Sequence, residues 1–131
     1  MPFLNRFSEQ AYAIARFVVG ALFACHGAQK LFGVLGGKQE LHELRGLVAG
    51  IIEFFGGCFV ALGLFAAIAA FVACGEMAVA YFTVHAPRGF WPILNGGERA
   101  VLFCFFFLYV ANRGSGRLSL DAVLRGGKAT S

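Results

Sequence analysis

The sequence predicts an all-α integral membrane protein: a four-helix transmembrane bundle that forms a single domain over residues 1–131. Apolar residues make up 59% of the chain and charged residues only 14%, where a soluble domain has about 25% charged residues. The mean hydropathy is +0.73. A spanning helix takes about 20 residues, so this length allows about four spans with their loops. These values exclude a disordered chain, a nucleic-acid-binding domain and a secreted disulfide scaffold.

The first hydrophobic segment predicts a span over residues 11–34. The polar, glycine-rich stretch 36–40 follows it and favours a chain break. Arg16 lies within the apolar run, and no small-residue cleavage pattern follows. We therefore interpret the segment as an uncleaved span rather than a signal peptide.

The next hydrophobic run, residues 47–84, predicts two spans. As one helix it would be about 57 Å long at ~1.5 Å per residue, whereas the hydrocarbon core is only ~30 Å thick. The run must fold back, and Gly63 is the best turn because glycine readily adopts the left-handed conformation that ends helices. The predicted spans are 47–62 and 65–84.

The last span is predicted over residues 97–112. A loop with two prolines, 85–92, precedes it. Asn95 is the expected N-cap, and Glu98 lies in the first turn, where the helix dipole favours negative charge. A basic tail, 113–131, follows the span.

Charge distribution predicts the orientation of the bundle. Four spans place both termini on one side. That side carries five positive residues and the opposite loops carry three, so the positive-inside rule favours cytoplasmic termini and a cytoplasmic tail. The two sets are Arg6, Arg113, Arg117, Arg125 and Lys128, against Lys38, Arg45 and Arg88.

Several ionisable residues lie inside the predicted spans, where each costs ~2.5–3.5 kcal/mol at the membrane centre. Lys30, His26, Glu53, Glu76 and Glu98 all lie within about two helical turns of the predicted outer ends, and Arg16 alone lies near the inner face.

Helical spacing places these residues on faces that can close on each other. Lys30 shares a face with Arg16 and two glycines. Glu53 shares a stripe with three glycines, which suits close helix contact. Glu76 shares a face with two alanines. We expect Lys30 and His26 to meet Glu53 and Glu76 in a pocket open to the outer side.

Two interpretations of this pocket stay open. Buried Lys–Glu pairs can simply fix helix register, or the charges can form a ligand-binding or proton-handling site. Several charges at one depth favour the second interpretation. No metal site is predicted, because no HxxxH or ExxH spacing occurs.

The cysteines occur one in each span and form no CxxC motif. We interpret them as small buried apolar side chains. A pairing of Cys25 with Cys74, both at mid-depth, is geometrically allowed. The four positions are Cys25, Cys58, Cys74 and Cys104.

The motifs, taken in order, resemble those of the DoxX family. The resemblance covers nearly the whole chain. It includes Arg16, Gly20 and GAQKLFG at 27–33, EFFGG at 53–57 with LGL at 62–64, EM at 76–77 with His85, NGGE at 95–98, and GSGRLSLD at 114–121.

The resemblance implies a four-helix protein of the bacterial inner membrane. It also implies a link to thiosulfate:quinone oxidoreductase subunits and to thiol and oxidative-stress systems. Together with the clustered charges, it gives our first hypothesis: a membrane subunit of an oxidoreductase system that handles quinone or a small sulfur compound. Lys30 and His26 would hold an anionic oxygen, Glu53 and Glu76 would orient them and carry protons, and Lys30, Glu53 and Glu98 would bind the quinone cofactor.

A second hypothesis is non-enzymatic: a membrane scaffold or assembly partner for another protein, favoured by the lack of a redox motif. A third hypothesis, a solute transporter, is less favoured because no pair of broken helices is evident in the sequence. The lipid bilayer is a partner in every case, a protein partner in a redox complex is expected under the first hypothesis, and no nucleic acid is expected.

Overall fold

The computed structural model describes residues 1–126, and over that range the chain is helical without any strand. Three helices are long and apolar enough to cross a membrane: Ser8–Phe32, Leu44–Leu62 and Ala66–Arg88. This confirms the predicted all-α membrane class. In order, the helices are α1 (Pro2–Asn5), α2 (Ser8–Phe32), α3 (Leu44–Leu62), α4 (Ala66–Ala80), α5 (Pro92–Asn95), α6 (Glu98–Arg113) and α7 (Leu120–Leu124).

Helices α2 and α3 pack closely because glycines line their contact. A Cβ atom on Gly27 would collide with the backbone of Phe54, and one on Gly57 would collide with the backbone of Ala24. Small residues let helix backbones approach in this way. The buried faces of both helices are the ones that spacing predicts, including Arg16, Gly20, Phe23 and Gly27 on α2 and Gly46, Gly50, Glu53 and Gly57 on α3.

Helix α4 packs against α6 and, less extensively, against α3. Its buried residues are Ala66, Ala70, Ala73 and Met77. Glu76, predicted on the same face, is only half-buried. Phe23 and Phe107 fill the centre between the helix pairs, with ring centroids 4.7 Å apart.

The turn between α3 and α4 confirms the role predicted for Gly63. Gly63 ends α3 with φ of 69°, in the left-handed region. Beyond α4 the chain differs from the prediction. The helical run continues from α4 through a π-helical turn, Tyr81–His85, and a 3₁₀ turn, Ala86–Arg88, so it extends past the predicted end of the span at residue 84 into the expected loop.

Asn95 is not the N-cap of α6, as the sequence suggested. Gly97 takes that position. The buried Asn95 side chain instead donates to the Gly89 carbonyl at 2.7 Å and accepts from the Gly97 amide at 2.8 Å. It therefore ties the middle of the α4–α6 connection to the start of α6. Glu98 does lie in the first turn of α6, as predicted.

Residues 114–126 of the tail fold back onto the terminal end of the bundle, the end where α2 begins and α6 finishes. Arg16, only 3% exposed, donates to the carbonyls of Val60, Ser115 and Leu118. Asp121 accepts from the Phe65 amide at 2.9 Å and from the Ser115 hydroxyl at 2.6 Å. Arg16 and Asp121 thus fasten the tail to the α3–α4 turn. Lys128, part of the predicted basic tail, lies outside the described residues.

Candidate functional site

The predicted charged residues converge at the other end of the bundle, the loop end, where the α2–α3 and α4–α6 connections lie. Lys30 Nζ lies 2.6 Å from Glu53 Oε1. Glu53 is 2% exposed, whereas the Lys30 side chain is 29% exposed. A Cβ on Gly50 would lie 3.3 Å from Lys30 Cβ. The close approach of α2 and α3 at Gly50 therefore brings the Lys30 ammonium into contact with the Glu53 carboxylate.

A cavity of about 300 Å³ adjoins this ion pair. Its size is at the lower end of the range for small-molecule sites, ~300–1,000 Å³. Aromatic and aliphatic side chains from α2, α4 and α6 form the apolar part of its wall. Its charged or titratable lining residues are His26, Lys30, Glu53, His85 and Arg99.

Positive groups predominate in this cavity, which we call the Lys30 cavity. Lys30 is neutralised by Glu53, but Arg99 makes no salt bridge within residues 1–126. The side chains of His26 and His85 also line this cavity. The cavity therefore favours a ligand with an anionic or electron-rich oxygen.

Two carboxylate oxygens in this region have no hydrogen-bond partner within residues 1–126. Glu53 Oε2 and Glu76 Oε1 are both buried and unpaired. The two carboxyl groups are neighbours, and Glu76 lines a second cavity that shares Lys30 with the first. Buried polar atoms nearly always have partners. This pair can therefore accept a proton or a ligand donor.

An apolar groove meets the Lys30 cavity on the side of α2 and α6. Val19, Leu102 and Phe106 line the groove together with Arg99 and Phe103, which also line the cavity. Nearly all of its lining atoms are apolar. The Lys30 cavity thus adjoins the apolar groove, and Arg99 and Phe103 line both.

The structure brings together four of the five residues predicted for the site. Lys30, Glu53 and Glu76 are neighbours, and His26 lines the Lys30 cavity, with its ring edge-to-face with Phe103 at 6.0 Å. Glu98 does not join them. Its side chain is exposed at the start of α6 and does not line the cavity.

Sequence reasoning did not assign Arg99 or His85 to the site. Gly96, Arg99, Ala100 and Phe103 all line the cavity. Their spacing of three, four and seven residues is the signature of one helix face, so the signal for Arg99 was present in the sequence. His85 comes from the π-helical turn, which sequence periodicity does not predict. Within residues 1–126, no group of three or more His, Cys, Asp or Glu residues could hold a metal ion.

The interpretation of all four cysteines as buried is wrong, because Cys25 is exposed and the other three are half-buried. The pairing of Cys25 with Cys74 that the sequence allowed is not the contact that the structure shows. The sulfur that contacts Cys74 belongs to Cys104, at 3.7 Å. Cys25 lies on α2 and is exposed, with its thiol free. The partner changes because α4 packs mainly against α6.

Comparison with known proteins matches residues 11–86 to DoxX. The chain belongs to the DoxX family. The matched region contains Lys30, Glu53 and Glu76, whereas Arg99 lies beyond it. This DoxX protein is also 40% identical over 125 residues to an uncharacterized protein of Haemophilus influenzae, a match that covers 90% of this chain and 93% of the relative. No solved structure matches the chain.

Proposed function

We propose that this DoxX protein is a multi-pass protein of the bacterial inner membrane, and that its Lys30 cavity binds a quinone headgroup as part of an oxidoreductase system. The observation that carries the proposal is the polar cavity joined to an apolar groove through Arg99 and Phe103. A quinone needs both, since its ring carries two oxygen acceptors and its tail is hydrocarbon. A small sulfur anion would use the cavity alone.

The side chains around the cavity have complementary roles in this proposal. The Lys30 ammonium and a His26 ring nitrogen can donate hydrogen bonds to a quinone oxygen, and Arg99 can stabilise negative charge on it. Glu53 holds Lys30 in place at 2.6 Å. The unpaired oxygens of Glu53 and Glu76 offer a proton-carrying pair. Reduction of a quinone to a quinol takes two electrons, which another subunit of the oxidoreductase system would supply, and two protons, which this carboxyl pair can relay.

We infer that α6 is a fourth span. Its 16 residues measure about 24 Å at ~1.5 Å per residue, slightly less than the hydrocarbon core, and Arg113 at its end can snorkel. Arg113 contacts Glu9 at 2.7 Å, so the start of α2 and the end of α6 lie at the same end of the bundle. A chain with an even number of spans enters its first span and leaves its last span on the same side of the membrane, as these two helix ends do. The positive charges of that end favour cytoplasmic termini.

Replacing Glu53 with glutamine is expected to abolish quinone binding. The substitution keeps the shape of the side chain but removes the negative charge that orients Lys30. The wild type would be purified in a mild detergent, extracted with organic solvent and analysed by mass spectrometry. We expect quinone in the wild type and at least a tenfold loss in Glu53→Gln.

The matched control is Glu9→Gln. It removes a carboxylate from the Arg113–Glu9 ion pair, whose atoms are 2.7 Å apart at the opposite end of the bundle, so this variant should retain quinone. An empty wild type that brings down a protein partner would contradict the proposal. It would favour the scaffold hypothesis, with the Lys30–Glu53 pair as a device that fixes helix register.

A further inference from the structure

The thiols of Cys74 and Cys104 contact each other across the interface between α4 and α6. Their sulfur atoms are 3.7 Å apart, and both residues are half-buried. A disulfide bond is ~2.05 Å long, so the sulfurs need to approach by only about 1.6 Å. The two helices that carry them are extensively packed against each other. The chain therefore holds a dithiol that is nearly positioned for bond formation.

The surroundings of this pair determine which oxidants can reach it. Cys74 lies in the membrane-spanning helix Ala66–Arg88. Both side chains pack beside the apolar core between the helices. Charged oxidants are poorly soluble in such surroundings, whereas a quinone dissolves in the bilayer. Quinones also serve as oxidants of protein dithiols in the bacterial envelope.

We propose that Cys74 and Cys104 form a reversible dithiol–disulfide couple that is oxidised by a quinone dissolved in the bilayer. The two S–H bonds break and one S–S bond forms. Two electrons and two protons leave the thiols and pass to the quinone, which becomes a quinol. The oxidised bond links α4 to α6.

The couple sits next to the Lys30 cavity but is distinct from it. Met77 follows Cys74 by one helical turn, Phe103 immediately precedes Cys104, and both line the cavity. Closing the disulfide therefore fixes two walls of the cavity relative to each other. The proposal does not require quinone to bind in that cavity, because the oxidant can reach the sulfurs from the lipid.

The test uses the full-length protein in mild detergent. The reduced protein is incubated with a short-chain benzoquinone whose ring is fully substituted, so that it cannot add to thiols. Free thiols are then alkylated under denaturing conditions, and the peptides are mapped by mass spectrometry. We expect a peptide pair that joins Cys74 to Cys104, lighter by two hydrogens and lost after treatment with dithiothreitol.

Two single variants control for non-specific oxidation. Cys74→Ser should leave Cys104 fully alkylated after quinone treatment. Cys25→Ser should form the disulfide as the wild type does, because Cys25 has no sulfur contact within residues 1–126. Full alkylation of both Cys74 and Cys104 in quinone-treated wild type would overturn the proposal. A disulfide between Cys25 and Cys58, formed instead of one between Cys74 and Cys104, would also overturn the proposal.

The Glu53→Gln variant separates this proposal from quinone binding in the Lys30 cavity. We expect the variant to lose bound quinone and still form the Cys74–Cys104 disulfide. If neither the wild type nor Glu53→Gln forms the disulfide, the couple is refuted, whatever the extraction shows. If both form it and the wild type retains no quinone, the couple stands and the proposed function fails.

Discussion

Replacing Arg16 with methionine is expected to lower the apparent Tm of the purified protein by about 10 °C or more. The guanidinium donates to the carbonyls of Val60, Ser115 and Leu118. Hydrogen bonds from a charged donor contribute ~1.5–3 kcal/mol each. Methionine keeps much of the apolar length of the side chain and recovers part of the loss, so the net cost is about 3 kcal/mol or more.

The same substitution should also release the tail from the bundle. In the wild type, Leu118 and Ser115 are held through Arg16 at the terminal end. Limited trypsin digestion should therefore cleave after Arg117 or Arg125 several times faster in Arg16→Met. Arg117→Met is a matched control for the thermal measurement, because its side chain is exposed in the same tail. Equal melting temperatures for Arg16→Met and Arg117→Met would show that Arg16 does not hold the tail on the bundle.

The second large effect is expected from adding one methyl group at Gly27. An alanine Cβ there would lie 2.6 Å from the Phe54 Cα atom and 2.7 Å from its Cβ atom. Backbone atoms of a packed helix can shift only at a large cost in free energy, so α2 must move away from α3. Overpacking of this kind costs ~1–3 kcal/mol and occasionally more. Because Lys30 lies one turn beyond Gly27, the displacement should also separate Lys30 from Glu53.

Gly75→Ala is a matched control, because this substitution is not expected to lower the Tm. Gly75 lies within α4, and a Cβ on it would meet nothing within 4 Å. Alanine in a helix interior is more stable than glycine by ~0.5–1 kcal/mol. Thermal melts should therefore show a lower Tm for Gly27→Ala and an equal or higher Tm for Gly75→Ala. Gly27→Ala should also lose bound quinone in the extraction assay, and retention of both stability and quinone would refute the close-packing argument.

Much of the fold follows from patterns within single helices. The length of the apolar run from residue 47 to 84 requires a turn, and Gly63 provides the residue that can make it. The glycine stripe predicts the packed face of α3, because close approach between helix backbones demands residues without side chains. The tail was less predictable. Its glycines and serines suggest a loop, yet Ser115 and Asp121 bind the α3–α4 turn.

The sequence by itself determined the membrane class, the turn at Gly63, and the buried faces of α2 and α3. Each depends on composition or on helical periodicity, which are local properties. Only the tertiary structure decided that Arg99 and His85 line the cavity while Glu98 does not, and that Cys104 rather than Cys25 contacts Cys74. These outcomes depend on how α4 and α6 are rotated against each other. That arrangement is set by packing between residues far apart in the chain, such as Phe23 of α2 against Phe107 of α6 and Cys74 of α4 against Cys104 of α6.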